Sequence, residues 1–222
     1  MIHAIRKAEA YLYIETQFFI SGCGKSDHNE KPIATNPLIE EIADRIGLKI
    51  QNERDFHVYL VMPVHPEGML SDGSVAKQHY WALQTIIRGK KSLVRRVCDY
   101  LARKQHNLAP DAHPSESQIT AVVSGGSWNR YLTFLNLRNW GVTALFPRDK
   151  EFRRLDSEKP LGKFVITEQV YVHSKLLIVD DAIAIIGSAN CNDRSLNGSG
   201  DTELASVIVD TDVVEMDLGN WH

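Results

Sequence analysis

The sequence predicts an α/β protein built around a mixed β-sheet. Segments rich in β-branched and aliphatic residues alternate with segments in which apolar residues recur every three or four positions, which is typical of strands alternating with helices. The chain has 222 residues, 43% of them hydrophobic and 24% charged. These values are typical of a globular protein with one sizeable core. We therefore treat residues 1–222 as a single domain.

The elements follow from local signals taken in order along the chain. Helices are expected at residues 2–10, 36–46, 75–88, 92–104 and 132–140. Strands are expected at residues 11–15, 57–62, 119–123, 142–146, 164–172, 175–180, 183–186 and 204–209. Asn36-Pro37 gives the second helix a cap and a proline at its first position, and Gly47 is its expected end. Polar loops are expected at residues 21–35, 109–117 and 148–159.

Composition argues against several classes of protein. A net charge of −3 provides no overall basic field for nucleic acid. No apolar run approaches membrane-spanning length, and no signal peptide opens the chain. Cys23, Cys98 and Cys191 are odd in number and widely spaced, which argues against a disulfide framework or a zinc site and favours a reducing, cytoplasmic compartment.

The stretch from Tyr171 to Glu203 holds the candidate site. His173 and Lys175 lie two residues apart in a run of strand-forming residues, so both side chains leave the same face of a regular strand. Asp180 is an odd number of residues from both, which predicts the opposite face and favours a structural role. The next strand ends at the small polar turn 187–190, and a strand followed by such a turn and a helix start is a natural anion cradle.

These residue types suit phosphodiester transfer. A histidine attacks phosphorus or moves a proton near neutral pH, and a nearby lysine supplies positive charge for phosphate oxygens. Ser188 and Asn190 can donate further hydrogen bonds as charge develops. Glu203, on a later apolar run, is a candidate to hold the imidazole of His173 through its other nitrogen.

The candidate residues form one pattern of fixed spacing, His173-x-Lys175-x4-Asp180-x6-Gly187-Ser188-x-Asn190. This pattern resembles the HKD signature of the phospholipase D superfamily, and the continuations N-D-R-S-L and D-T-E-L-A resemble its eukaryotic-type branch that hydrolyses phosphatidylcholine. The resemblance implies a sheet flanked by helices on both faces and no metal or cofactor. It implies a catalytic set of His173, Lys175, Asp180 and Glu203, with phosphate bound by Lys175, Ser188 and Asn190.

Two further segments resemble the same branch. Residues 13–19, Y-I-E-T-Q-F-F, match a family element except that Thr16 replaces the usual Asn; periodicity alone predicts a buried strand here. Residues 63–68, P-V-H-P-E-G, resemble a loop at the substrate-facing edge of the sheet. His65 and Glu67 in this loop lack a third partner for a metal, so an ordinary loop is favoured.

A basic cluster at residues 88–96 has two interpretations. It consists of Arg88, Lys90, Lys91, Arg95 and Arg96. A solvated helix face is favoured, and contact with anionic lipid is the alternative.

The chain holds only half of the groups that the chemistry needs. In-line displacement requires one group to attack phosphorus and another to protonate the leaving oxygen, yet only His173 of the nine histidines begins an H-x-K-x4-D pattern. The resemblance covers most of residues 11–210 and implies the second catalytic half of a longer enzyme, peripheral on membranes. It implies that His173 is the general acid and that a second HKD half carries the nucleophile. A homodimeric HKD nuclease and a non-catalytic binding half remain as alternatives.

Overall fold

A six-stranded mixed sheet organises the computed structural model of the chain, which describes residues 1–22, 25–26, 29–66, 73–109, 112–144, 163–198 and 200–212. The strands are β1 (Tyr11–Glu15), β2 (Lys25–Ser26), β3 (Asn29–Pro32), β4 (His57–Val61), β5 (Leu132–Leu135), β6 (Arg138–Ala144), β7 (Lys163–Gln169), β8 (Leu176–Val179), β9 (Ile183–Gly187) and β10 (Ala205–Val209). The main sheet has the order β10-β9-β8-β1-β4-β5, and two small sheets pair β2 with β3 and β6 with β7. β1, β4 and β5 run parallel, whereas β8, β9 and β10 extend the sheet by antiparallel pairing.

The helices cover one face of this sheet. They are α1 (Ile2–Lys7), α2 (Leu38–Gln51), α3 (Gly73–Leu83), α4 (Leu93–Gln105), α5 (Glu116–Gly125) and α6 (Asp193–Leu196). A π-helical turn, Gln84–Arg88, continues α3. The predicted α/β class with a mixed sheet is therefore confirmed.

The core lies between α2, α4 and one face of the sheet. Alternate residues of the strands point into it, among them Leu12, Ile14 and Leu60, each no more than 4% exposed. Ile42 and Val97 meet them from α2 and α4. Because side chains alternate along a strand, burying one set leaves the other on the far face of the sheet.

The far face is much less covered. Tyr59 is 38% exposed, and Tyr11, Tyr13 and His57 beside it are half-buried. The second layer of helices that the family resemblance implies stays a prediction.

The strand predicted at residues 119–123 is wrong, because these residues belong to α5. Ser115 and Gln118 form a reciprocal capping box at its start, and Gly126 ends it in a left-handed conformation with φ 71°. The β-branched residues there favoured a strand. The Ser-x-x-Gln capping box and the burial of Val122 stabilise a helix instead.

The helix predicted at residues 132–140 is also wrong. Leu132 pairs with Val58 in a parallel register, so β5 adds to the edge of the main sheet, and β6 follows directly. Pairing with a strand more than seventy positions earlier is a nonlocal interaction, which apolar spacing within the segment does not reveal.

Gly47 does not end the second helix, which continues to Gln51. A Cβ atom at position 47 would lie 2.6 Å from the ring of Tyr100, so the glycine permits close packing of α2 on α4. The next predicted helix is α3 and its π-helical turn, with the buried Thr85 accepting a hydrogen bond from the backbone of Ser21. The predicted loop at residues 148–159 lies outside the described residues.

Two of the five residues of the basic cluster form ion pairs with acidic residues. Arg95 pairs with Glu116 and Arg96 with Glu40 at N–O distances of 2.5 and 2.8 Å. These contacts agree with a solvated, charge-balanced face, and binding of lipid there stays a prediction. No helix within the described ranges is both long and apolar enough to span a bilayer.

Candidate active site

An open cleft of about 900 Å³ lies where β8 begins and β9 ends, beside the start of β10. It gathers every predicted site residue except Asp180. Its lining includes His173, Lys175, Ser188, Asn190 and Glu203. The strand order explains the convergence, because β8, β9 and β10 are consecutive antiparallel neighbours, so the start of β8, the end of β9 and the start of β10 lie at the same edge.

His173 and Lys175 lie in the extended segment that leads into β8. The Nζ atom of Lys175 donates to the backbone oxygen of His173 at 2.6 Å, and Gly187 donates its N–H to the backbone oxygen of Lys175 at 3.2 Å. The imidazole of His173 is exposed and lies near the ring of Tyr171, with ring centroids 5.7 Å apart. The histidine is thus accessible to a substrate entering the cleft.

Glu203 contacts serines in this structure. The hydroxyl of Ser188 donates to its carboxylate, and this hydrogen bond is the main reason that the pKa of Glu203 lies below its ordinary value. A hydrogen bond from Ser195 and the positive charges of Lys175 and Arg194 act in the same direction. Glu203 and His173 line the same cleft, but no hydrogen bond joins them, so the orienting role expected of Glu203 stays a prediction.

Gly187 allows β9 and β10 to come together at the cleft. A Cβ atom there would lie 2.4 Å from the backbone oxygen of Leu204 and 2.7 Å from Ala205. The N–H of Ser188 donates to that same Leu204 oxygen at 2.9 Å, and Leu204 returns a hydrogen bond to the Ser188 hydroxyl at 3.0 Å. These two hydrogen bonds between Ser188 and Leu204 fix the turn that carries Ser188.

Thr16 holds the other side of the same turn. Its hydroxyl is buried, donates to Asn190 Oδ1 at 3.4 Å and to the backbone oxygen of Phe18 at 3.1 Å, and accepts from the N–H of Cys191. Threonine at this position therefore ties the end of β1 to the turn after β9, which positions Asn190 in the cleft.

Asp180 lies at the opposite end of β8 from Lys175. Its carboxylate accepts the backbone N–H groups of Glu9, Ala10 and Tyr11 at 2.6, 2.8 and 2.8 Å. It adopts φ 52°, in the left-handed region that Asp tolerates better than most residues. The contacts of Asp180 are structural: they fasten the β8–β9 turn to the start of β1, away from the cleft.

Sequence reasoning missed several residues that hold the site residues in place. Ser174, between His173 and Lys175, donates to Glu15, which also accepts from the hydroxyl of Tyr13 at 2.7 Å. The alternation of side chains along a strand would have placed Ser174 on the face opposite His173. Its meeting with Glu15 depends on the antiparallel pairing of β1 and β8.

Asp193 is a further supporting residue that the sequence analysis did not single out. Burial alone would raise its pKa, but hydrogen bonds from the backbone and side chains of Thr35 and Asn36 outweigh that effect and lower the pKa. The carboxylate accepts from Thr35 N at 2.7 Å and from Asn36 N at 2.9 Å. Asp193 thereby anchors α6, which carries Ser195, to the segment before α2.

The loop after β4 holds His65, one of the two residues considered above as metal ligands. His65 donates from Nδ1 to the backbone oxygen of Pro66 at 3.0 Å, and Glu67 lies outside the described residues. In the part of the chain that the structure covers, no group of three or more His, Cys, Asp or Glu residues is arranged to hold a metal ion.

Comparison with known proteins supplies the family. The family model "Phospholipase D" matches residues 1–208. Phospholipase D zeta 1 of Arabidopsis thaliana is 35% identical over 95% of this chain, phospholipase D of Phytophthora infestans 35% over 93%, and phospholipase D2 of Bos taurus 32% over 96%. The chain spans only 16%, 9% and 18% of these three relatives.

Among solved structures, NucT from Helicobacter pylori aligns over 93% of this chain and 72% of its own, at 11% identity and a TM-score of 0.32. That likeness is too weak to carry an argument. The match of the family model to nearly the whole chain, together with the histidine and lysine of the HKD signature in one cleft, shows that this chain belongs to the phospholipase D family.

Proposed function

We propose that this chain supplies one half of a phospholipase D active site, and that the complete enzyme hydrolyses phosphatidylcholine-like phosphodiesters to phosphatidic acid and the free alcohol. One observation carries the proposal: a histidine, a lysine, a hydroxyl and an amide converge on one open cleft. These groups belong to His173, Lys175, Ser188 and Asn190. The family membership and the names of the relatives support it.

Each group has a defined task in this proposal. Lys175 and the donors on the turn after β9 bind the phosphoryl oxygens, whose charge they stabilise as it develops. His173 protonates the leaving alcohol oxygen and afterwards removes a proton from the attacking water. Glu203, which accepts a hydrogen bond from Ser188 in the same cleft, is proposed to orient the imidazole of His173.

The second HKD half supplies the nucleophile. The bond from phosphorus to the head-group oxygen breaks while a histidine of that half bonds to phosphorus, and water later releases phosphatidic acid. The two groups must stand on opposite sides of phosphorus, so His173 performs only one of the two tasks in a given step. We infer that the second half closes over the open side of the cleft.

An exposed apolar edge beside the cleft supports the proposal that a second half binds there. Leu204 is 83% exposed and adjoins Glu203, while Val207 and Val209 on β10 are each 63% exposed. β10 is also the end strand of the main sheet within the described residues. Exposed apolar groups on an edge strand are typical of surfaces that another protein segment covers.

The decisive experiment combines sizing with an assay. The 222-residue chain is examined by light scattering, and choline release from phosphatidylcholine vesicles is measured with and without a separately expressed H-x-K-x4-D half. We expect release only in the mixture. Leu204→Glu should weaken pairing, whereas Tyr80→Glu, at a 50%-exposed position on α3 outside the described cleft lining, is the matched control.

The same experiment separates the alternatives. Strong release by a monomeric chain would overturn the half-site proposal. Activity of a symmetric dimer would support the homodimeric arrangement, and cleavage of DNA in place of lipid would identify a nuclease. Binding of a phosphate analogue without turnover of lipid or DNA would favour the alternative of a non-catalytic binding half. Peripheral attachment to the cytoplasmic face of a membrane belongs to the same proposal, and vesicle co-sedimentation tests it.

A further inference from the structure

Strand β1 carries two polar side chains on the face of the sheet that lies opposite the core. Leu12 and Ile14 are buried in the core, so Tyr13 and Glu15, which alternate with them, lie on the far face. Both belong to the Y-I-E-T-Q-F-F element that resembles the phospholipase D branch. Neither belongs to the described lining of the 900 Å³ cleft, so they reach the reacting groups only through other residues.

Both oxygens of the Glu15 carboxylate accept hydrogen bonds from hydroxyl groups. Oε1 accepts from the hydroxyl of Ser174, and Oε2 accepts from the hydroxyl of Tyr13 at 2.7 Å. Burial, followed by the hydrogen bond and the negative charge of Glu15, raises the pKa of Tyr13 to about 12. The phenol therefore stays protonated at neutral pH and keeps donating, which holds the carboxylate in one orientation.

The backbone at Glu15 is fixed by a neighbouring strand on each side. Glu15 is paired with Val61 of the parallel strand β4 and with Leu176 of the antiparallel strand β8. β1 is accordingly an inner strand of the main sheet. Side chains on such strands are held more precisely than side chains on loops, so this carboxylate is a well-defined acceptor for the segment next to it.

The segment that carries the catalytic histidine lies beyond the ladder that joins β1 to β8. The last paired residues of the two strands are Glu15 and Leu176, and Ser174 precedes that pair. Ser174 is exposed and lies between His173 and Lys175. A rotation of the backbone at Ser174 would move both neighbours, whose side chains leave the opposite side of this extended segment. The hydrogen bond from Ser174 to Glu15 opposes such a rotation.

We propose that Glu15 is a positioning residue for the reaction: through Ser174 it sets the direction in which the side chains of His173 and Lys175 enter the cleft. The inference rests on the proposed function, in which His173 protonates the leaving oxygen and Lys175 binds phosphoryl oxygens. A displacement of a reacting group by about 1 Å can lower a rate about a hundredfold, so one hydrogen bond on the far side of the segment is enough to affect turnover. Tyr13 contributes by holding the second oxygen of Glu15.

Replacing Ser174 tests the proposal without opening the core, because its side chain is exposed. Ser174→Ala removes the donor, whereas Ser174→Thr keeps the hydroxyl group. In the chain paired with a second HKD half, we expect Ser174→Ala to lower kcat about tenfold and to leave KM within about twofold of wild type, since misalignment weakens the transition state more than substrate binding. Ser174→Thr should restore most of the lost kcat. Ser124→Ala, the same change at an exposed position of α5 outside the described cleft lining, should leave both constants unchanged.

A double-mutant cycle identifies Glu15 as the partner through which Ser174 acts. Glu15→Gln keeps the size of the side chain, but an NH₂ group replaces one of the two acceptor oxygens. The variant that combines Glu15→Gln with Ser174→Ala should lose no more turnover than the more impaired single variant, because both changes break the same hydrogen bond. Losses that multiply in the double variant, failure of Ser174→Thr to restore turnover, or a kcat of Ser174→Ala within about twofold of wild type would overturn the proposal.

A measurement of backbone motion separates this inference from the proposed function. Relaxation of the amide ¹⁵N nuclei of His173 and Lys175 is measured by NMR in the 222-residue chain and in its variants. Larger picosecond-to-nanosecond motion in Ser174→Ala, but not in Ser174→Thr or Ser124→Ala, would support the positioning role even if no ester were hydrolysed, in which case only the proposed function fails. Hydrolysis by the paired wild type with an unchanged kcat in Ser174→Ala would reject the positioning role alone. Absence of both hydrolysis and any change in motion would reject both.

Discussion

Replacing Asp180 separates a structural from a catalytic role for the aspartate of the HKD signature. Its carboxylate accepts three backbone N–H groups, at 2.6, 2.8 and 2.8 Å, from residues that immediately precede or begin β1. In Asp180→Asn, the retained oxygen can still accept from Ala10 and Tyr11, but an NH₂ group faces the N–H of Glu9. In Asp180→Ala all three acceptors are lost, and alanine must adopt φ 52°.

The expected magnitudes follow from these contacts. Most of the hydrogen bonds are partly exposed, so we take about 1 kcal/mol for each rather than the larger values of buried charged groups. Left-handed φ adds about 1 kcal/mol for alanine. The free energy of unfolding should therefore fall by about 4 kcal/mol in Asp180→Ala and by 1–2 kcal/mol, again roughly, in Asp180→Asn. Since domains are stable by about 5–15 kcal/mol, the alanine variant loses a large part of its stability.

Urea denaturation measures both values from the shift in midpoint at constant slope. Asp55→Ala is the matched control, because the 91%-exposed carboxylate of Asp55 pairs only at the surface with Arg130, and its loss should cost under about 1 kcal/mol. The folded Asp180→Asn enzyme should keep turnover within a few-fold of wild type. A stability of Asp180→Ala within about 0.5 kcal/mol of wild type, or a stable variant with turnover reduced a hundredfold, would refute the reasoning.

Four further substitutions test the cleft and the residues that hold it in place. His173→Ala should fold normally and lose about two to four orders of magnitude in turnover of the paired enzyme; near-normal turnover would exclude an acid–base role. Glu203→Gln should lower turnover less than His173→Ala, because it removes a charge and not the reacting group, and an equal loss would contradict this ranking. Asp193→Asn should unfold more easily than wild type at neutral pH. Since the folded pKa of Asp193 is depressed, its stabilisation is present above the unfolded pKa of about 3.9 and is lost as pH falls through the folded pKa, so the two urea midpoints should converge at acid pH. Gly187→Ala places a methyl group 2.4 Å from the oxygen of Leu204 and should lower stability by about 1–3 kcal/mol in thermal unfolding, whereas an unchanged Tm would show that β10 moves aside freely.

The sequence by itself determined the features that depend on neighbouring residues. The spacing of His173, Lys175 and Asp180 already predicted two side chains on one face and one on the other. The helix predicted at residues 92–104 is α4, and Ser92 caps it, because a hydroxyl before an amphipathic run satisfies the first backbone donors wherever the helix packs. Alternation of apolar residues likewise identified β1, β4 and β9 within one or two positions.

Only the tertiary structure decided what depends on distant partners. The helix at 116–125 and the strand at 132–135 contradict their local propensities, because one is capped by Ser115 and buried through Val122 and the other pairs with β4. The meeting of Glu203 with Ser188, and of Ser174 with Glu15, likewise needs the strand order β10-β9-β8-β1. Periodicity shows which side of a strand a residue occupies, whereas pairing and register decide which residue it faces, and those are set by the burial of the whole sheet.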